Sequence, residues 1–253
     1  MPGASDPWDA VRRRVAQQAH YLRNPLDPAP GICYVCRGPA KAGWSRCYTC
    51  EQHLTAAQSS LADAVVPISY AVKRTQHAHA LAAYKSTPSR EIQTNLLDLL
   101  MLFITDHHQC VARAAHIDQW SHLAVVPSTR GRPGEHPLRT LIGNRFLLPW
   151  IHLTATGISS EPRAFHSDRF TVHTPTEDLS DARVLLFEDT WTTGARVQSA
   201  AYAIKKAGAA RVAVVVLGRH VNPDFGPWQP ILQSIADRPY RPDLCAVHLS
   251  EED

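Results

Sequence analysis

The order of apolar and polar positions separates a largely helical front part of the chain from a back part in which strands and helices alternate. Residues 8–23 predict a short helix. The loop 24–31 (NPLDPAPG) follows, and its prolines and glycine mark a linker. The run 64–72 (AVVPISYAV) is apolar and β-branched. Its central Pro67 has no amide hydrogen for a ladder, which predicts a strand or hairpin at a sheet edge. Helices are predicted over 76–84 and over 89–116, the second from apolar residues at 92, 96, 99, 100, 103 and 104. A strand at 122–127 then leads through a Gly/Pro/Arg loop (128–137) to a helix spanning 138–151. A short strand at 152–155, an irregular stretch at 156–168 and a strand at 170–173 come next. The run 182–189 (ARVLLFED) predicts a strand, 194–207 a helix, and 210–218 (ARVAVVVLG) a further strand.

VLLF and VAVVVL are apolar on both faces, as strands inside a helix-covered parallel sheet are. The strand–loop–helix–strand spacing predicts an α/β fold: an open, mostly parallel sheet flanked by helices. The tail 219–253, rich in Pro and aromatics but without a period, is expected to fold over the sheet edge as a cap.

Composition narrows the class. A chain of 253 residues, 44% hydrophobic and 19% charged, suits one large domain plus a small appendage. A net charge of +3 favours anionic ligands but is too small to argue for nucleic acid alone. No stretch approaches the roughly 20 apolar residues of a membrane span. Charges stand at the N-terminus where a signal peptide needs an apolar run, so a cytoplasmic location without a membrane partner is expected.

Four of the six cysteines form two tight pairs, Cys33-x-x-Cys36 and Cys47-x-x-Cys50, ten residues apart. Each pair can set two thiolates on one side of a turn, and together they complete a tetrahedral site for a structural Zn2+. Cys245-x-x-His248 has the spacing of a metal half-site, and Asp106, His107, His108 and Cys110 cluster on the long helix. Coincidence and the polar end of a helix are the competing readings of these two.

The segment 184–196 (VLLFEDTWTTGAR) carries the main chemistry. A buried strand delivers Glu188 and Asp189 to its C-terminal end, where ligands bind in open α/β sheets. Thr192, Thr193 and Gly194 then offer hydroxyls and backbone amides at a helix N-terminus, where the helix dipole favours an anion. Two carboxylates beside a phosphate nest make sense if they hold the vicinal hydroxyls of the sugar bearing that phosphate, or a metal beside it.

These residues resemble the PRPP-binding motif of type I phosphoribosyltransferases. The resemblance implies that Glu188 and Asp189 hold the ribose hydroxyls, with Mg2+ accompanying PRPP, while Thr190, Thr192, Thr193, Gly194, Ala195 and Arg196 cradle the 5′-phosphate. Arg196 stands where the family has Thr or Ser. Thr192 stands where oxopurine-specific members have Asp, which argues against hypoxanthine or guanine salvage.

A four-cysteine knuckle ahead of such a domain is similar to the layout of ComF-type proteins. Three further segments resemble that family: Tyr84-Lys85, the loop 125–137 and the loop 161–165 leading to Phe170. By this resemblance Arg130 is a catalytic pyrophosphate contact, with Arg132 beside it, and Lys85 binds substrate. The loop 156–169, with Arg163, His166 and Arg169, closes over PRPP. Trp191, Phe225 and Trp228 are candidates for stacking on an acceptor base.

The expected organisation is an N-terminal helix and linker at 1–30, the knuckle at 31–55 and a phosphoribosyltransferase-like domain at 56–253. The expected function is phosphoribosyl transfer from PRPP to a nitrogen acceptor. The alternative is a non-catalytic sensor of PRPP or a nucleotide, or a DNA-uptake or processing accessory protein. In that case the knuckle and the basic run Arg12-Arg13-Arg14 would contact DNA or a protein partner. A homodimer is compatible with either.

Overall fold

The computed structural model describes residues 6–58, 60–86, 89–129, 135–157, 161, 163–173 and 178–247. A six-stranded sheet in the order β1-β6-β5-β2-β3-β4 forms its centre. The strands are β1 (Ala64–Val72), β2 (His122–Val125), β3 (Trp150–Ala155), β4 (Phe170–His173), β5 (Arg183–Trp191) and β6 (Arg211–Val221). All neighbours are parallel except β3 and β4, which pair antiparallel. The expected α/β class is therefore observed, with a small N-terminal module of four clustered cysteines attached.

The two central strands are buried on both faces, and their alternation assigns each side chain to a layer. Leu185 and Phe187 of β5 and Ala213, Val215 and Leu217 of β6 join one apolar cluster, which includes Leu99 and Leu100. Val184 and Leu186, with Val212, Val214 and Val216, join the other. Helices α1 (Asp9–Gln18), α3 (Gln76–Ala83), α4 (Arg90–Ala114) and α5 (Pro137–Ile142) contribute to the first layer. Helix α6 (Ala195–Lys206) and the cysteine module, which runs into α2 (Tyr48–Ala57), occupy the second. The sequence of α4 fits its length: Ser89 caps its start, Glu91 lies in the first turn and Arg113 in the last, matching the helix dipole.

Pro67 does lie on an edge strand, since among the described residues β6 is the strand that pairs with β1. Its outer edge is covered: the Tyr70 amide donates to the Arg23 carbonyl at 2.9 Å, and Ser69 Oγ donates to the same oxygen at 3.0 Å. The end of the helix expected over 8–23 is thus an edge cover instead, since α1 stops at Gln18, and Leu22 and Asn24 are buried. The tail caps the same edge. Trp228, Ile231 and Ile235, from a 3-10 turn (Gly226–Ile231) and α7 (Leu232–Ala236), pack on Tyr70 and Val221.

The helix expected over 138–151 is corrected. Helix α5 ends at Ile142, because Gly143 adopts φ +56 and Pro149 cannot continue a helical ladder. Trp150 and Ile151 belong to β3, where the Arg139 guanidinium stacks on the Trp150 ring at 4.0 Å. β5 and β6 also run two and three residues further than expected, to Trp191 and Val221.

The basic run Arg12-Arg13-Arg14 lies on α1, with Arg12 and Arg14 partly exposed beside acidic partners. Arg12 pairs with Asp106 at 2.8 Å and Arg14 with Asp98 at 2.5 Å, fastening α1 to α4. No helix among the described residues is long and apolar enough to cross a membrane.

Leu99 has no exposed surface at the centre of the first layer. Leu99→Ala is expected to destabilise the protein by about 2–5 kcal/mol, read as a lowered urea midpoint with an unchanged slope.

Candidate functional site

Strand order reverses between β2 and β5, and a crevice opens there at the C-terminal ends of the strands. It forms a cavity of about 1040 Å³, lined on one side by Ser128, Thr129 and His136 and on the other by Thr190, Thr192, Thr193 and Gly194. Lys85, Arg163 and Arg196 add positive charge, and Glu188 is the one carboxylate lining it among the described residues.

The turn between β5 and α6 depends on Gly194. Its φ of +83 lies in the left-handed region, and a Cβ built there would sit 2.1 Å from the Trp191 ring. Trp191 is 1% exposed, so the turn folds over a buried indole, and Thr192 to Arg196 line the cavity. Thr193 Oγ1 accepts from the Ala195 amide at 3.4 Å and donates to the Arg163 carbonyl at 3.2 Å, which ties the turn to the 156–169 segment.

Strand alternation sends the two acids to opposite layers. Asp189 points toward α3 and α5: it accepts from the Tyr84 hydroxyl and from Lys85 Nζ, each at 2.6 Å, with His136 Nε2 at 3.9 Å. Burial alone would raise its pKa, but the Lys85 charge, then the hydrogen bonds from Lys85 and Tyr84, hold it below the usual value. Glu188 points toward α6, where Arg196 Nη2 lies 3.6 Å from Oε1. Burial first, and the neighbouring Asp189 charge second, push Glu188 up to about 7. Its Oε2 is buried without a hydrogen-bond partner among the described residues, an acceptor suited to a hydroxyl or a hard cation.

Helix α3, which precedes Lys85, packs closely on β6 because position 218 is glycine. A Cβ there would meet Leu81 Cδ1 at 2.2 Å.

The four cysteines converge. Their sulfurs all lie within 4.8 Å of one another, and Cys36 Sγ is 3.8 Å from Cys47 Sγ. That equals the S···S edge of roughly 3.8 Å that follows from tetrahedral Zn–S bonds of about 2.3 Å. Cys36 is held well below the usual thiol range, chiefly by hydrogen bonding from Cys33, then from Cys47 and Cys50. The donor set fits Zn2+.

Arg219 is a site residue that sequence reasoning missed. Its guanidinium, 6% exposed, donates from Nε to the Cys36 carbonyl at 2.8 Å. Nη1 reaches the carbonyls of Trp191 at 3.1 Å and Thr192 at 2.9 Å, and Nη2 lies 3.5 Å from Cys36 Sγ. One buried cation therefore joins the cysteine module to the β5–α6 turn. A lone Arg inside the apolar run 212–221 was the available signal.

The chain matches no family model and no curated protein. Among solved structures it is similar to a purine phosphoribosyltransferase from Pyrococcus horikoshii Ot3, at 15% identity over 51% of this chain and 89% of that one, with a TM-score of 0.26. At that score the fold assignment rests on strand order and register, not on the likeness.

Several expected site residues are placed elsewhere. Arg169 is 1% exposed and donates to the carbonyls of Glu161 and Ala164, while His166 Nε2 turns back to Glu161, so Arg163 alone of the three lines the cavity. Trp191 and Trp228 are buried and Phe225 is exposed, and none of them lines the cavity. Arg130, Arg132 and His248 lie outside the described residues.

Gly194→Ala is expected to lower the urea midpoint by about 1–3 kcal/mol in equivalent stability. Pairing it with Trp191→Leu should cost less than the sum of the single changes, because the clash is shared. For Glu188, a folded pKa of about 7 against an ordinary 4.5 means the folded state holds the extra proton between those values. Wild type should therefore lose stability relative to Glu188→Gln as pH rises from 4.5 to 7, read as Tm differences across that range.

Proposed function

We propose that this chain is a phosphoribosyltransferase-like protein. It binds PRPP or a ribose-5-phosphate nucleotide with Mg2+, and it transfers the phosphoribosyl group to a nitrogen acceptor with release of pyrophosphate. One observation carries the reading: Thr192 to Arg196 of the β5–α6 turn line a cationic cavity whose wall holds a buried, half-partnered carboxylate.

In this reading the 5′-phosphate sits at the N-terminus of α6, where Thr192, Thr193 and the amides of Gly194, Ala195 and Arg196 converge and Thr190 flanks them. Glu188 accepts from a ribose hydroxyl through Oε2. Asp189 shifts its contacts from Tyr84 and Lys85 to the second hydroxyl. Lys85, released from Asp189 in that exchange, turns its charge to the pyrophosphate beside Ser128 and Thr129, with Arg130 following in the same loop. Mg2+, when bound, supplies charge neutralisation on the leaving pyrophosphate, and Glu188 and Asp189 are the carboxylates beside it.

The nitrogen nucleophile attacks C1 and the C1–O bond to pyrophosphate breaks with inversion, charge spreading over the ribose ring as it does so. The protein contributes orientation and a fixed field. Arg163, linked to Thr193 through its carbonyl, is placed to help exclude water from that centre.

The second reading is a non-catalytic sensor of the same ligand. The Arg219 bridge favours it, because it offers a path from the phosphate turn to a cysteine module that can dock DNA or a protein partner.

Calorimetry with PRPP and Mg2+ tests the site. Thr193→Ala is expected to weaken binding by roughly 10- to 100-fold, the worth of a hydrogen bond to a charged group. Asp189→Ala is expected to weaken it at least as much. Equal affinity in all three proteins would remove the site. Pyrophosphate release with added nitrogen acceptors supports the transferase, and tight binding without release supports the sensor.

A further inference from the structure

A second group of metal-ligating side chains lies in the opposite layer from the cysteine module. Helix α4 carries His107 and Cys110 three residues apart, hence on one face. The tail brings Cys245 against them, and the three ligand atoms all lie within 4.8 Å of one another. His107 Nδ1 is 4.0 Å from Cys110 Sγ. Tetrahedral Zn–N and Zn–S bonds of about 2.0 and 2.3 Å give an N···S separation of roughly 3.6 Å, so small side-chain shifts close the site.

The tautomer is fixed from outside the cluster. His107 Nε2 lies 2.7 Å from the Pro242 carbonyl, which can only accept, so Nε2 carries the proton and Nδ1 presents its lone pair. A ligating imidazole held by a carbonyl on its other nitrogen is the usual outer arrangement of a metal site. His107 is 3% and Cys245 8% exposed, in an apolar layer. In such surroundings the Nδ1 lone pair of His107 meets the weak S–H donor of Cys110 at the long distance of 4.0 Å, a contact that a cation between the imidazole and the two sulfurs would replace.

We propose that His107, Cys110 and Cys245 bind a second Zn2+, which pins the C-terminal tail to α4. On binding, both thiols release their protons to solvent and form Zn–S bonds, while the imidazole donates its Nδ1 pair. The resulting centre is neutral, so its burial carries little charge penalty. Two thiolates and an imidazole select zinc over magnesium or calcium. A fourth ligand, from outside these three residues, completes the tetrahedron. The site adds a fastening to a tail already held by Asn24, whose Nδ2 donates to the Arg241 and Leu244 carbonyls at 3.1 and 3.3 Å, and by Arg37, which donates to the Ala246 carbonyl at 2.5 Å.

The test is metal titration of the full chain, purified reduced, stripped with chelator and refilled with Zn2+ or Co2+. Wild type is expected to bind two equivalents and Cys110→Ser one, with the cobalt–thiolate charge-transfer band reduced in proportion. C-terminal cleavage in limited proteolysis should be several-fold faster in the variant. Cys245→Ser should behave alike. If it misfolds, the partly exposed Cys110 still decides the matter. Wild type binding one equivalent and Cys110→Ser none also supports this site, and places the failure at the four-cysteine module. Equal stoichiometry in wild type and Cys110→Ser overturns the proposal, as does recovery of Cys110 and Cys245 as a disulfide.

Discussion

A guanidinium buried under the β5–α6 turn is the constraint around which the site is arranged. Arg219 leaves water almost completely, and a buried cation is tolerated only when its donors are met. The carbonyls of Cys36, Trp191, Thr192 and His220 meet them, and Cys36 Sγ lies beside Nη2. Beside its own neighbour His220 in β6, Arg219 thus draws acceptors from two parts that would otherwise be independent: the cysteine module and the β5–α6 turn. Withdrawing any one leaves the cation short of a partner, so the module and the turn hold their relative positions together. The Trp228 ring, 4.9 Å from the guanidinium, closes the remaining side and links the tail to the same charge.

The split between the two acids has the same local origin. Because β5 continues to Trp191, Glu188 and Asp189 remain on the pleat and cannot share a face. Each therefore acquires its own cation, Arg196 from α6 and Lys85 after α3, and the two carboxyls diverge in acidity. Asp189, hydrogen-bonded twice and ion-paired, stays charged. Glu188, with a single distant arginine and an unpartnered oxygen, holds its proton into the neutral range.

How far the sequence reached follows from the kind of signal involved. Doubly apolar runs announced β5 and β6, and Pro67 announced an edge, because burial and hydrogen bonding leave direct marks on residue type. The TTG turn and the paired cysteines were legible for the same reason: few residues can take a left-handed turn against a buried indole or supply four clustered sulfurs. The end of α5 was missed because LRTLIGNRFLLPWI keeps a helical spacing of apolar residues. Gly143 and Pro149 override that spacing through the backbone alone. Arg219, the Tyr84–Asp189 hydrogen bond and the meeting of Cys245 with α4 join residues about 105 to 183 positions apart. No local pattern encodes such pairings, and only the strand order creates them.

The ion pairs bear on how a ligand would be accepted. A cavity carrying several cations and one carboxylate repels itself when empty, and Lys85–Asp189 and Arg196–Glu188 relieve part of that strain at short range. A sugar phosphate would reverse the arrangement: its hydroxyls satisfy the carboxylates while its anionic groups take over the cations. In that exchange each carboxylate trades a cation for neutral hydroxyl donors, so the ligand's anionic groups must offset the lost ion pairs at the freed cations. A neutral ligand offers no such trade, because it would have to break both pairs without replacing either. Under the proposed reading, a preference of the cavity for anions would come from the pairs a ligand must release as much as from the positive charge around it.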